Sequence, residues 1–183
     1  MPRLSMPEPV LVTERLSLRE ITWDDLDFLA TMLGDPVVMR HYPKPHTREE
    51  AAAWLKRNLD RYANDGHGLW LVSDRKSGQP FGQVGLVKQI VEGVEESEIG
   101  YLIHAPFWRR GYASEAAAAV RDYAFGQLNK RRVISLVRPV NIPSQRVALR
   151  IGSKPERLVM YFELEHVLFS QERVAPQFSV NYR

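Results

Sequence analysis

The sequence predicts a mixed α/β (α+β) domain built on a central sheet, and not a doubly wound one. Two observations carry this. Short meandering strands separated by turn residues follow a pair of early helices, which favours antiparallel neighbours. A single strand–helix–strand crossover comes after them, which supplies one parallel pair.

Each element follows from local pattern. Residues 10–21 read as a first strand, with Leu16 and Leu18 alternating against Arg15, Ser17 and Arg19. Thr22-Trp23-Asp24-Asp25 has the spacing of a capping box, and Leu26, Leu29, Ala30 and Leu33 then recur at helical intervals. Asp35-Pro36 is read as the start of another short helix, with proline in the first turn. Thr47-Arg48-Glu49-Glu50 opens a longer helix carrying Trp54, Leu55, Leu59 and Tyr62. Strands are expected over 69–73, 81–91 and 97–104, with turns at Ser77-Gly78 and across the acidic run 92–96. A helix from about Tyr112 puts Ala113, Ala116, Ala117, Val120, Tyr123 and Ala124 on one face. A β-branched strand is expected over 132–137, then a short helix over 143–151 closed by Gly152. Strands over 158–163 and 166–171 form a final hairpin, and the tail from Pro176 is expected to be loosely held.

One domain is expected over residues 1–183, with its core over about 10–172, a length that can bury a full core without staples. The chain has no cysteine, which excludes disulfide scaffolds, zinc fingers and thiol catalysis and suits a cytoplasmic location. Met1-Pro2-Arg3-Leu4-Ser5-Met6-Pro7 lacks the apolar stretch of a signal peptide, and no apolar run has the length of a membrane span. A formal net charge of +3, scattered along the chain, fits an anionic nucleotide-like ligand but not nucleic-acid binding. The five histidines have no metal-ligand spacing on one helix, so no metal is expected.

The informative stretch is Glu98-Ile99-Gly100-Tyr101-Leu102-Ile103-His104-Ala105-Pro106-Phe107-Trp108-Arg109-Arg110-Gly111-Tyr112-Ala113-Ser114-Glu115-Ala116. A strand runs through a loop of two arginines and a glycine straight into a helix. The amides of Arg109, Arg110, Gly111, Tyr112, Ala113 and Ser114 then converge at the positive end of the helix dipole, an anion site suited to pyrophosphate. Gly111 lets backbone approach the anion. The same residues also make an ordinary tight strand-to-helix turn. Neither G-x-x-x-x-G-K-[ST] nor G-x-G-x-x-G occurs in the chain.

Trp108-Arg109-Arg110-Gly111-Tyr112-Ala113 resembles the acyl-CoA pyrophosphate motif of GNAT acetyltransferases, [QR]-x-x-G-x-[GA], with Trp108 in place of the usual first residue. Further landmarks occur in order: Thr13-Glu14-Arg15-Leu16-Ser17-Leu18-Arg19, Asp24-Asp25, Asp35-Pro36, Trp54-Leu55, Glu98-Ile99-Gly100-Tyr101 and Pro139-Val140-Asn141-Ile142-Pro143-Ser144. Together they are similar to the branch containing the N-terminal alanine and serine acetyltransferases of ribosomal proteins. The resemblance implies a GNAT fold: a mostly antiparallel sheet, splayed at its fourth and fifth strands, with helices on both faces. It implies acetyl-CoA as co-substrate, a primary amine as acceptor (a protein N-terminus or a small molecule), and a monomer or homodimer. It also implies that Tyr101, Leu102 and Ile103 run beside pantetheine, with the amide of Leu102 or a neighbour at the thioester oxygen. Asn141 and Ser144 are implied to hold the pantetheine arm near the thiol, although both also read as a turn residue and a helix cap.

Many relatives carry a tyrosine acid four residues before the helix-terminal glycine, where this chain has Ala148; the usual aromatic after that glycine is Ser153. Ser144 is then the expected proton donor to the leaving thiolate, with water as the alternative. Glu98 is the first candidate base, because a carboxylate drawn from water in the cleft has a raised pKa; a surface strand residue paired with lysine is the competing reading. His104 is the second candidate, and Glu115 reads as a dipole-stabilising acid. His41-Tyr42-Pro43, Trp70, Tyr161 and Glu163 are expected near the acceptor, and the acidic run 92–98 as an attraction for a cationic amine or a solvated hairpin tip. The competing functional readings are an acyl-CoA-binding sensor or scaffold without catalysis, and a nucleotide-binding protein of another kind.

Overall fold

The computed structural model of the protein describes residues 7–174. The expectation for the tail from Pro176 lies outside them. Eight strands and four α-helices form: β1 (Pro9–Val12), β2 (Leu16–Arg19), α1 (Leu26–Gly34), α2 (Arg48–Asp65), β3 (Leu69–Asp74), β4 (Pro80–Val91), β5 (Val94–Ile103), α3 (Tyr112–Gly126), β6 (Arg132–Val137), α4 (Ile142–Arg150), β7 (Lys154–Tyr161) and β8 (Leu164–Glu172). One sheet holds all eight strands in the order β1-β2-β3-β4-β5-β6-β8-β7. Every neighbouring pair is antiparallel except β5 and β6, the two ends of the crossover through α3.

Helices cover both faces. On one, Ala116, Ala117, Val120 and Ala124 of α3 pack on Leu16, Leu18, Trp70, Val72, Val84, Leu86 and Ile99. The alanines let the helix lie close to the strands. On the other, Leu29, Met32 and Leu33 of α1 and Ala51 and Leu55 of α2 pack on Ile21 and Leu71. Alternation along β3 sends Trp70 to the α3 face and Leu71 to the other. Trp70 is therefore core, 1% exposed and edge-on to Tyr123 at 5.5 Å, and does not line the acceptor region as expected.

Both capping boxes form. The Asp25 carboxylate accepts the Thr22 amide at 2.8 Å, and a short 3₁₀ turn precedes α1. The Thr47 hydroxyl accepts from the Glu50 amide (3.3 Å), and Glu50 accepts from the Thr47 amide (2.8 Å). Four other expectations are corrected. The strand expected over 10–21 is a hairpin, β1–β2, because Thr13 folds back on Leu16: its amide donates to the Leu16 carbonyl (2.9 Å) and its hydroxyl accepts the Leu16 amide (3.0 Å). Asp35-Pro36 opens a single turn, not a helix. The Asp35 carboxylate takes the Val37 amide (2.8 Å), and two isolated turn bonds follow, from the Met39 amide to the Asp35 carbonyl (2.9 Å) and from the Tyr42 amide to the Met39 carbonyl (2.8 Å). The acidic turn shrinks to Glu92-Gly93, both with positive φ (51° and 83°), as a two-residue hairpin turn of this kind requires. Glu96 is thus in β5, and Glu92 and Glu96 are ion-paired to Arg157 (3.0 Å) and Arg132 (3.1 Å) instead of forming a free acidic tip. In the last hairpin the turn is Phe162-Glu163, two residues earlier than expected.

Arg19 and Asp25 form a two-pronged ion pair, at 2.8 and 2.7 Å, with both side chains close to one-tenth exposed. Removing one partner leaves the other charge buried and unpaired. Asp25→Ala should therefore lower unfolding stability by about 3–5 kcal/mol, measured by equilibrium urea denaturation. A change within about 0.5 kcal/mol of zero would show that this pair does not hold β2 to the start of α1.

Candidate functional site

The loop between β5 and α3 is built to leave amides free. Gly111 is the residue before α3, at φ +81°, and a glycine has no side chain with which to cap the helix. The first amides of α3 thus lack the partner that a serine or aspartate would give. Arg109 is also left-handed (φ 61°). The indole of Trp108 donates to the Ile103 carbonyl at 2.6 Å and pins the loop to the end of β5. Arg15 braces the other side: its guanidinium donates to the Arg110 carbonyl (3.0 Å), pairs with Glu115 (2.6 Å), and lies 4.8 Å from the centre of the Tyr112 ring. Tyr112 in turn stacks on Phe81 at 4.4 Å. Burial alone would raise the Glu115 pKa, but bonds from the Thr13 hydroxyl and the Arg15 amide and guanidinium hold it below the usual carboxylate value. Glu115 is an anchor, already neutralised. Arg109 and Arg110 stay exposed, and Arg150 of α4 reaches Ser114 across the gap (3.5 Å). The arrangement is a cationic rim around free amides, suited to a pyrophosphate.

The second feature is the parting of β5 from β6. Their pairing is a single register pair, Glu98 with Ile134. Just before it, Arg132 of β6 binds Glu96 of β5, and also Glu156 of β7 (2.8 Å) and Glu172 of β8 (3.1 Å). Just beyond it, the Ser135 hydroxyl reaches the Ile99 carbonyl at 2.9 Å, and no further pair is made. In the antiparallel ladder with β4, the His104 amide binds the Phe81 carbonyl, so Leu102, two residues back, also turns its backbone towards β4. The backbone of Tyr101, not that of Leu102, faces the opening. The Tyr101 hydroxyl donates to the Ser144 carbonyl at 2.7 Å, and Asn141 caps α4 by accepting the Ser144 amide (3.3 Å).

Two cavities meet here. One of about 130 Å³ is bounded by Tyr101, Ser135, Asn141 and Ser144. The other, about 520 Å³, lies between α2 and the β7–β8 hairpin, with Trp54, Arg57, Arg61, Gln83, Leu102 and Tyr161 in its wall. Both include Glu98, Tyr42, Gly100, Leu136 and His166. Glu98 is held by a chain: the Tyr161 hydroxyl donates to Gln89 Oε1 (2.7 Å), and Gln89 Nε2 donates to Glu98 Oε2 (2.8 Å). Burial raises the Glu98 pKa, and Gln89, the Leu136 amide and Arg61 oppose it without cancelling it. The Tyr161 phenol is pushed up to about 12 by burial and then by Glu98. The His166 pKa is lowered by burial and, more weakly, by Arg138, against the Leu164 carbonyl, 2.8 Å from its Nδ1, which raises it.

Glu98, Tyr101, Asn141 and Ser144 are thus brought together, with Leu102 on the larger cavity and the loop from Arg109 to Ser114 at the head of α3. Ile103 is buried, its carbonyl taken by Trp108. His104 stands apart from both cavities. It follows the end of β5, its Nε2 is 3.8 Å from Asp35, and its ring meets Phe28 and Phe107. Of the expected acceptor residues, His41, Tyr42 and Tyr161 border a cavity, while Glu163 sits in the hairpin turn. Ala148 is fully buried against Val137 and Phe169. The sequence reading missed Arg57, Arg61, Gln83, Gln89 and His166. A signal existed for the two glutamines: polar residues six apart, hence on one face, in a strand whose one other polar side chain is Lys88.

Comparison with known proteins bears on this geometry. Residues 15–154 match the acetyltransferase (GNAT) domain family. The N-acetyltransferase YnaD of Bacillus subtilis is 32% identical over 147 residues, 80% of this chain and 83% of that protein. An acetyltransferase structure from Agrobacterium tumefaciens superposes with a TM-score of 0.81 at 29% identity, covering 94% of this chain and 99% of the other. The ribosomal L7/L12 α-N-protein acetyltransferase, solved in complex with coenzyme A, has a TM-score of 0.73 at 16% identity, covering 90% and 98%; it shares the fold.

Glutamate at position 111 would put a carboxylate among the free amides and a side chain on left-handed backbone. Gly111→Glu should weaken acetyl-CoA binding by at least about a hundredfold, read as heat of binding, since the loss of favourable charge and the added repulsion together exceed about 3 kcal/mol. Unchanged affinity would remove this loop from the binding site.

Proposed function

The chain belongs to the acetyltransferase (GNAT) family, and from that premise we propose that it transfers the acetyl group of acetyl-CoA to a primary amine, of a protein N-terminus or a small molecule, by direct attack in a ternary complex. The observation that carries the mechanism is Glu98 standing where the two cavities meet, at the last paired residue before β5 and β6 part. The parting gives pantetheine a strand edge to lie along. The cationic loop at the head of α3 takes the pyrophosphate, Asn141 and Ser144 hold the arm near its thiol, and the larger cavity receives the amine.

Acetyl transfer needs a free amine lone pair, a stabilised carbonyl oxygen and a protonated leaving group. Glu98, ionised, accepts the ammonium proton, directly or through one water. The amine nitrogen then bonds the thioester carbon. The charge on the oxygen is met by the Tyr101 amide, whose direction into the gap supports this role. As the carbon–sulfur bond breaks, the thiolate takes a proton from the Ser144 hydroxyl or from water, and the attacking nitrogen, still carrying one proton too many for an amide, returns that proton to the donor. Position 148 on α4 is a buried alanine, so no phenol acid stands there. The zero cysteine count is in keeping with a cytoplasmic enzyme.

The sign of the pH dependence follows from Glu98. Burial raises its pKa, and only the ionised form is a base. Activity should therefore rise with pH along an acid limb that lies above the usual carboxylate range. Glu98→Gln should lower kcat by about 10²–10⁴-fold and abolish that limb, with acetyl-CoA affinity kept. The measurement is a thiol-release pH profile of both proteins with one amine. An unaltered profile in the variant would assign the base elsewhere.

A further inference from the structure

The wall of the larger cavity is rich in donors and poor in acceptors. Four cations of α2 illustrate the difference. Arg48 is paired with Asp27 (2.6 Å) and Lys56 with Asp60 (2.7 Å). Arg57 and Arg61, one turn apart on the cavity side, have no carboxylate partner among the described residues. Like charges at this spacing repel weakly; Arg57 is exposed, and Arg61 is half-buried and near enough to Glu98 to oppose the rise in its pKa. The two sense each other: the Arg57 pKa is lowered by burial and then by Arg61. Arg57 lies 5.5 Å from the centre of the Trp54 ring. The one acid in that wall, Glu98, already accepts from Gln89 and the Leu136 amide.

Beside them is an orphan donor. Gln83 is fully buried, and its Oε1 accepts the Trp54 indole N–H at 3.0 Å. An indole nitrogen can only donate, so this fixes which end of the amide is which. Gln83 Nε2 is then a buried N–H donor with no partner among the described residues. An unmade bond of this kind is costly unless a ligand oxygen completes it. Gln83, Arg57 and Arg61 therefore place donors in one cavity wall, the Trp54 indole N–H being already spent on Gln83.

We infer that the acceptor amine carries an oxyanion, carboxylate or phosphate, bound by Arg57, Arg61 and Gln83 Nε2. The class is an amino acid or an aminoalkyl phosphate, not a polyamine. This rests on the acetyltransferase reading and narrows its acceptor. Planar guanidinium groups suit either anion in two-pronged contact.

The test is calorimetry on the protein saturated with CoA, so that the loop at the head of α3 is already occupied. The probes are matched amines: glycine and β-alanine against their primary amides, phosphoethanolamine against ethanolamine, and spermidine as the cationic contrast. At least one oxyanion member should bind tenfold or more tightly than its neutral partner, and the carboxylate and phosphate arms tell the two sources apart. The double variant Arg57→Gln/Arg61→Gln should lose the preference, and Arg61→Glu should turn it towards spermidine. Both variants should keep wild-type acetyl-CoA affinity, which serves as the folding control. Equal binding within every pair, binding of none of the oxyanions, or a wild-type preference for spermidine would overturn the inference. If wild type binds acetyl-CoA while discriminating no pair, only this inference fails. If it gives no heat with acetyl-CoA, the acetyltransferase reading falls and this falls with it.

Discussion

The structure depends on the way β5 and β6 are held together at one end and released at the other. Arg132 gathers Glu96, Glu156 and Glu172 and so ties four strands at one level of the sheet. One rung above, Glu98 and Ile134 pair; beyond that the strands meet through side chains, the Ser135 hydroxyl on the Ile99 carbonyl and the Glu98 carboxylate on the Leu136 amide. A closed sheet would use up the Tyr101 backbone, bury Glu98 between ladders and leave no passage between its faces. The ion-pair hub closes the base of the gap, so the strands part above it without the sheet coming undone.

The charges around this gap are set for two different tasks. At the head of α3, the acid nearest the free amides is neutralised by Arg15 and Thr13, so the field there is that of the helix dipole and exposed arginines. At Glu98 the environment works the other way. Burial holds its proton affinity high, while the Gln89–Tyr161 chain fixes its position without a formal positive partner in contact. An ion pair there would depress the pKa and spoil the base. The two carboxylates, seventeen positions apart in the chain, are set apart by environment: Glu115 is an anchor with a lowered pKa, and Glu98, with a raised one, is the proton acceptor we propose.

The strands, helices and loop were legible where the cause is local. Thr47 and Glu50 cap within one turn, alanines three and four apart mark the α3 face, and Gly111 before a helix marks an anion site, because each signal involves residues that touch along the chain. The errors fall where a distant residue intervenes. The first strand turns where Thr13 folds back on Leu16, and Glu115, 102 positions on, holds that turn by accepting the Thr13 hydroxyl. The acidic run 92–96 was divided between Arg157 and Arg132, and Trp70 was claimed by α3 rather than by the cavity.

By itself, therefore, the sequence determined the order and type of most elements and the strand–loop–helix backbone at Gly111, for which we propose the pyrophosphate, since periodicity, capping and glycine backbone act over a few residues. Only the tertiary structure decided that His104 sits away from the cavities, that Tyr101 rather than Leu102 turns its backbone into the gap, and that Gln89 and Tyr161, 72 positions apart, complete the setting of Glu98. It alone decided that Arg57 and Arg61 face a cavity with Gln83. The reason is physical: a pKa, an orphan donor or an uncompensated charge is a property of what surrounds a group in space, and those surroundings come from segments the chain holds far apart.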